Sequence, residues 1–387
     1  MKIALPNTKQ GYYRLAVSSF YFIQGLVFAS WASRIPDVKT SLQLSDAALG
    51  GVLFAIPVGQ LSAMALSGYL VSRFGSRKVL SIASFLYPAV LVFLGLAGSV
   101  WTLSIVLFFF GITANMSNIS VNTQGVGVER IYGRSIMASF HGLWSLAGFT
   151  GGLISTLMVG LNFSPLIHFL FVFLLALMIR GVMKGSLLPR DSARKFSGEK
   201  GSSLGMKLDH YIFLLGCIAF GCMMCEGIMY DWSSVYFDSV IRPSKELVRL
   251  GYVVSMCAMT CGRFMADYLV TRFGVVKVIC VSGVTIASGL LMVVLFPYLL
   301  PATLGFLLLG FGVSSVVPLC YSLAGKSKSM VPGVAIAAVS TIGFLGFLIG
   351  PPLIGFVAQA LDLRWALGLV TIVGLMTTVL SPRLKQK

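Results

Sequence analysis

Acidic side chains are scarce in this chain: 12 Asp and Glu stand against 29 Lys and Arg in 387 residues. Charged residues of both signs make up 11%, where a soluble domain carries roughly 25%. So few charges cannot cover the surface of a soluble protein of this length. Histidine is nearly absent too, and His141, His168 and His210 have no metal-ligand spacing. With almost no carboxylates in the apolar segments, enzyme chemistry is disfavoured, and neither a metal nor a cofactor is expected. The first half has no cysteine; all seven, Cys217 to Cys320, fall in apolar runs of the second. Cys222 and Cys225 have redox or zinc spacing but no partner Cys/His pairs, so they read as small packing residues.

What fills the chain is apolar surface, 57% of all residues. Runs of about 18 to 25 apolar residues recur from end to end, the length that spans a hydrocarbon core of roughly 30 Å. Twelve membrane helices are expected, near 13–34, 46–71, 77–98, 101–126, 135–160, 164–183, 209–237, 247–270, 276–297, 301–324, 331–360 and 363–381. The first has no cleavage site after it and is expected to stay in the mature protein.

Charge sets the orientation. With the N-terminus inside, cytoplasmic segments hold 22 Lys and Arg and the outer loops 6, with Arg263 inside a span. That asymmetry fits cytoplasmic termini in a bacterial inner membrane. The net charge of +17 then reflects topology and contact with anionic lipid. A nucleic-acid partner would need a basic soluble domain, and there is none.

The stretch YLVSRFGSRKVL, 69–80, returns as YLVTRFGVVKVI at 268–279, with eight of twelve positions identical at an offset of 199. Each copy falls between the second and third span of its half, so the halves read as a duplication. The Ser/Gly-rich linker near 184–208 divides the spans six and six, giving bundles 1–183 and 209–387. Two six-helix bundles in parallel repeat are the layout of the major facilitator architecture. Gly75 and Gly274 permit the tight turn, and Arg73, Arg77, Lys78 and Arg272 supply its charge.

Gly68, Arg73, Gly75, Arg77 and Lys78 resemble the signature loop of the major facilitator superfamily, which has an acid before the first arginine. Here that slot holds Ser72, and Thr271 in the second copy. In the family the acid helps clamp the bundles on the cytoplasmic side; Arg263 and Asp267, four residues apart, offer a substitute. ASFHGLWSLAGFTGG (138–152), the Asn-rich fourth span and EGIMYDWSSVYF (226–237) are most similar to fucose-permease-like carriers. The resemblance implies a solute site near the bilayer midplane between bundles. It also implies coupling carboxylates in the first and fourth spans, where this chain has none.

Intramembrane polar groups are costly unless they face a cavity or find partners. Asn115, Asn118 and Asn122 share one helix face, and amides suit the hydroxyls of a sugar or polyol. The 199-residue offset maps that face onto Ser314 and Tyr321. Gln24, Phe28 and Trp31 follow i, i+4, i+7 spacing, an amide beside aromatic surface able to stack a sugar ring; Trp31 is alternatively an interfacial anchor. His141 and Trp144 share a face in the fifth span. Glu226 is the one carboxylate placed well within the hydrocarbon, with Cys222 and Tyr230 on its face; it is read as the proton-coupling acid, or else as a static ion-pair partner. Asp231 and Trp232 read as interface anchors. Glycines of the fifth and eleventh spans suit a rocking bundle interface, with a kink at Pro351-Pro352.

The expected function is a secondary active transporter, a monomer, moving a small polar solute coupled to protons. Drug or metabolite efflux is one alternative. A non-transporting membrane sensor is another, although the linker and termini are short for an output domain.

Overall fold

The apolar runs fold as α-helices, and the breaks between them carry the residues that start and stop helices. The computed structural model describes residues 8–133, 136–189, 209–327, 330 and 332–384; 190–208 of the expected linker lie outside them. In the first half the helices are α1 (Lys9–Ala32), α2 (Ile35–Ser41), α3 (Asp46–Leu53), α4 (Ala55–Phe74), α5 (Ser76–Leu94), α6 (Val100–Tyr132), α7 (Met137–Gly160) and α8 (Pro165–Met183). In the second they are α9 (His210–Tyr236), α10 (Leu250–Phe273), α11 (Val275–Leu295), α12 (Leu299–Gly325), α13 (Pro332–Ala360) and α14 (Leu363–Leu380). They make twelve spans long and apolar enough to cross a membrane: the chain is an integral, multi-pass, all-α membrane protein.

Side-chain caps mark several starts. Ser99 accepts from the Thr102 amide while Thr102 bonds back, a reciprocal capping box. Ser45, Ser164, Asp209 and Asp362 cap α3, α8, α9 and α14 in the simpler way. The first span departs from expectation by breaking after Ala32 and restarting as α2, with Pro36 in the first turn of the new helix. Proline is tolerated there because its missing N–H would have had no intrahelical partner. Pro351 and Pro352, by contrast, lie inside the continuous helix α13.

Two compact units form. One comprises Met1–Trp31, Ala55–Ile154 and Leu161–Leu204; the other Ala32–Phe54, Ser155–Gly160 and Gly205–Lys387. The hairpin from Ala32 to Phe54 thus packs with the second-half helices.

Equivalent contacts recur at the sequence offset within each unit. A Cβ on Gly111 of α6 would strike the Ile56 carbonyl of α4, and one on Gly310 of α12 would strike the Ser255 carbonyl of α10. Both pairs are 199 residues apart. Bare backbone lets these helices meet more closely than side chains allow. The glycines of the fifth and eleventh spans serve packing inside their own units: Gly151 meets Ala29 and Leu26 of α1, and Gly343 and Gly346 meet Ala219, Phe220, Met223 and Met224 of α9.

The twin turns are nearly superposable in backbone angle. Gly75 has φ +84° and ψ 146°, Gly274 φ +82° and ψ 151°. Each glycine N–H bonds back one turn at 2.9 Å, to Val71 and to Val270. An added Cβ would meet nothing within 4 Å at either glycine, so backbone conformation, not crowding, requires glycine.

Candidate functional site

Each unit holds a polar cluster among apolar helices. In the second unit it centres on Glu226 of α9, which is 8% exposed. The Tyr230 hydroxyl, one turn further along, donates to Glu226 Oε1 at 2.5 Å. Arg263 of α10 places Nη2 3.3 Å from the same oxygen. Tyr230 is held flat against Phe347 of α13, with centroids 6.5 Å apart and planes 11° from parallel. Cys222 donates its thiol to the Val313 carbonyl of α12. Glu226 is therefore an ion-paired and hydrogen-bonded carboxylate, fixed by groups on two helices.

Arg263 thus pairs with Glu226 of α9 and not with Asp267 of its own helix. Asp267 is exposed, and no ion pair joins it to Arg263 among the described residues. Arg263 turns to the buried acid because a shielded carboxylate attracts a cation more strongly than a hydrated one.

The charges of the twin turns have local partners. Arg73 lies over the rings of Tyr69 and Phe74, at 5.9 and 5.7 Å. Arg272 lies 5.7 Å from Phe273 and donates to the Tyr268 hydroxyl. Arg77 donates to the Gly185 carbonyl at 3.2 Å, and Lys78 is exposed. In the slot before each arginine, the hydroxyl bonds to its own helix: Ser72 to the Tyr69 carbonyl and Thr271 to the Asp267 carbonyl, each at 2.8 Å.

In the first unit α1, α6 and α7 bring the amides and aromatics together. Asn122 donates to both the backbone and the side-chain oxygen of Asn118, each at 2.8 Å. Asn122 Oδ1 accepts from the Tyr21 hydroxyl at 2.7 Å. Tyr21 stacks on Phe140 and meets His141 edge-on, with centroids 5.5 and 5.3 Å apart. Gln24 donates to the Ala114 carbonyl, while Gln24 Oε1 and Asn115 Oδ1 are buried with no partner among the described residues. Phe28 and Trp144 lie 6.0 Å apart.

Tyr21 is the member missed from sequence alone, although it precedes Gln24 by three residues and so shares its face. The anchor alternative for Trp31 and the anchor reading of Trp232 are corrected by burial: they are 1% and 0% exposed, whereas interfacial tryptophans face headgroups. Ser314 is packed between helices. It is 1% exposed, bonds back to Phe311 and sits where a Cβ on Gly262 would be. Its position is a packing contact between α10 and α12. Tyr321 is half-buried and hydrogen-bonded to Ser340; these two lie 199 residues after Asn122 and His141.

Known proteins resemble the chain along nearly its whole length. The family model of the Major Facilitator Superfamily matches residues 17–331. An uncharacterized MFS-type transporter of Yersinia pestis is 34% identical, the match covering 94% of this chain and 93% of that one. The membrane protein MosC of Rhizobium meliloti is 30% identical, with 95% and 88% covered. Among solved structures, the nucleoside transporter NupG aligns with a TM-score of 0.76 at 13% identity, covering 97% of this chain and all of that one. The Escherichia coli fucose:proton symporter FucP aligns at 0.63 and 14%, covering 96% and 98%; both likenesses concern the fold. The twin turns, the twelve spans and these matches place the chain in the major facilitator superfamily of transporters.

Proposed function

We propose that this transporter moves a small, neutral, hydroxyl-bearing solute, sugar-like or polyol-like, by alternating access coupled to protons. The membrane is read as the bacterial inner membrane with both termini cytoplasmic, on the strength of the positive-charge asymmetry. The solute reading draws on the first unit's amides beside aromatic surface. Amides donate and accept together, and the unpartnered oxygens of Gln24 and Asn115 are acceptors that a hydroxyl would satisfy.

The coupling reading rests on one observation: Glu226, Tyr230 and Arg263 meet at a single carboxylate oxygen inside an apolar unit. A proton on Glu226 cancels its charge and weakens the hold on Arg263, leaving a cation with altered partners. A change of that kind inside low-dielectric surroundings is large enough to bias a two-state element.

Purified protein in proteoliposomes under an imposed pH gradient tests both parts, with a panel of sugars, polyols and cationic drugs. Accumulation of a hydroxylated solute that collapses with the gradient is expected. Glu226→Gln is expected to abolish accumulation and leave counterflow. Normal accumulation by Glu226→Gln removes the coupling assignment, and accumulation of cationic drugs alone removes the solute class.

A further inference from the structure

A second carboxylate lies further along α9, outside the Glu226 cluster. Asp231, expected as an interface anchor, is half-buried, and no cation pairs with it among the described residues. Glu226, by contrast, holds both Arg263 and the Tyr230 hydroxyl.

Two buried hydroxyls accompany Asp231. Ser234 follows three residues later on the same face of α9. It is 1% exposed, and its Oγ has no hydrogen-bond partner among the described residues. Serines in apolar helices usually bond back to their own carbonyls, as Ser239 does to Val235 and Ser255 to Gly251; Ser234 does not. Tyr252, in the first turn of α10, is fully buried, and its hydroxyl is likewise without a partner among the described residues. The start of α10 presses on the end of α9, where a Cβ on Gly251 would lie 2.7 Å from the Phe237 ring. That packing brings the Tyr252 hydroxyl within electrostatic range of Asp231. All three residues belong to the second unit.

A buried hydroxyl without a partner is costly and calls for an explanation. A carboxylate and two hydroxyls are hard oxygen donors, which suit hard cations and not soft metals. One carboxylate balances one positive charge; a divalent ion would leave a charge uncompensated in apolar surroundings. Spacing separates a metal cation from a proton. Oxygens that share a proton approach to about 2.5–3.0 Å. Oxygens that each lie about 2.3–2.6 Å from a common cation, as around calcium, stand further apart than that. Neither hydroxyl is hydrogen-bonded to Asp231, so the three oxygens are spaced for an ion to enter among them.

We propose that Asp231, Ser234 and Tyr252 form a site for a hard monovalent cation of the alkali class, which ties α9 to α10 when bound. The site goes beyond the proton coupling assigned to Glu226 and does not depend on it.

Sodium is the probe. The full chain in detergent is titrated with sodium chloride, choline chloride keeping the ionic strength constant, while unfolding temperature and bound radiolabelled sodium are read together. A saturable rise in unfolding temperature that tracks saturable sodium binding is expected, because a ligand that binds only the folded state stabilises it. Asp231→Asn is expected to abolish both. Ser234→Ala and Tyr252→Phe each remove one oxygen and are expected to raise the half-saturating sodium concentration several-fold. Asp238→Asn, which alters an exposed acid further along the chain, is expected to keep the wild-type response. Equal stabilisation by choline, absence of sodium binding, or binding that survives Asp231→Asn would overturn the site. If Asp231→Asn fails to fold, unaltered sodium affinity in both hydroxyl variants would overturn it instead.

Discussion

Tyr230 and Glu226 lie one helical turn apart on α9, joined by a 2.5 Å hydrogen bond whose carboxylate oxygen also faces Arg263. The tyrosine orients the acid towards the arginine. Tyr230→Phe keeps the ring against Phe347 and removes only the hydroxyl. A hydrogen bond to a charged group contributes about 1.5–3 kcal/mol. Under the proposed function, the expected outcome is a folded protein whose gradient-driven accumulation falls about tenfold or more, since 1.4 kcal/mol is tenfold in an equilibrium. Initial uptake rates with and without the gradient check this.

Arg263 and Asp267 separate two ideas about the same helix face. Arg263→Gln leaves a buried carboxylate without its cation, a change that costs about 3–5 kcal/mol where burial is complete. With Arg263 partly exposed, a smaller loss is expected, about 1–3 kcal/mol, discounted for solvent screening. Asp267→Asn, at an exposed site with no ion pair among the described residues, is expected to leave both stability and transport unchanged. Thermal unfolding in detergent, read beside flux, distinguishes the two.

Gly75 and Gly274 make matched backbone demands. A residue with a Cβ at such positive φ costs on the order of 1–3 kcal/mol. Gly75→Ala and Gly274→Ala should each lower the unfolding temperature by similar amounts, and the double variant should lose about the sum, because each glycine N–H bonds within its own helix. A loss confined to one of the two would show that the turns are not equivalent.

Tyr21→Phe removes the donor to Asn122 and keeps the stack on Phe140. Under the proposed function the freed Asn122 oxygen changes how solute binds more than it changes folding. An altered KM for the hydroxylated solute with little change in melting is expected; a melting loss with unaltered KM would make the bond purely structural.

Most of the architecture was legible because period, length and charge asymmetry are properties of the chain itself. Twelve apolar runs gave twelve spans, and the match between residues 69–80 and 268–279 disclosed a duplication that extends to Gly111 and Gly310 in paired helix contacts. Partner choice was not legible. Arg263 stands four residues from one acid and 37 from another, and only the packing of α9 on α10 decides that it meets Glu226. The same holds for Ser314, which the 199-residue offset put opposite the amide face while Gly262 beside it made room for a packing contact. Tyr21 was hidden because its partner lies 101 residues away.

Under the proposed function, the chain of bonds from Tyr21 through Asn122 to Asn118 acts as an internal stand-in for a ligand's hydroxyls. A solute that takes up these amides breaks bonds as it makes them, and each net exchange contributes about 1 kcal/mol or less. Discrimination then comes from how well a hydroxyl pattern replaces the internal bonds, while overall grip stays modest. That balance suits a carrier: a cargo held only by exchange is recognised on one side and let go on the other.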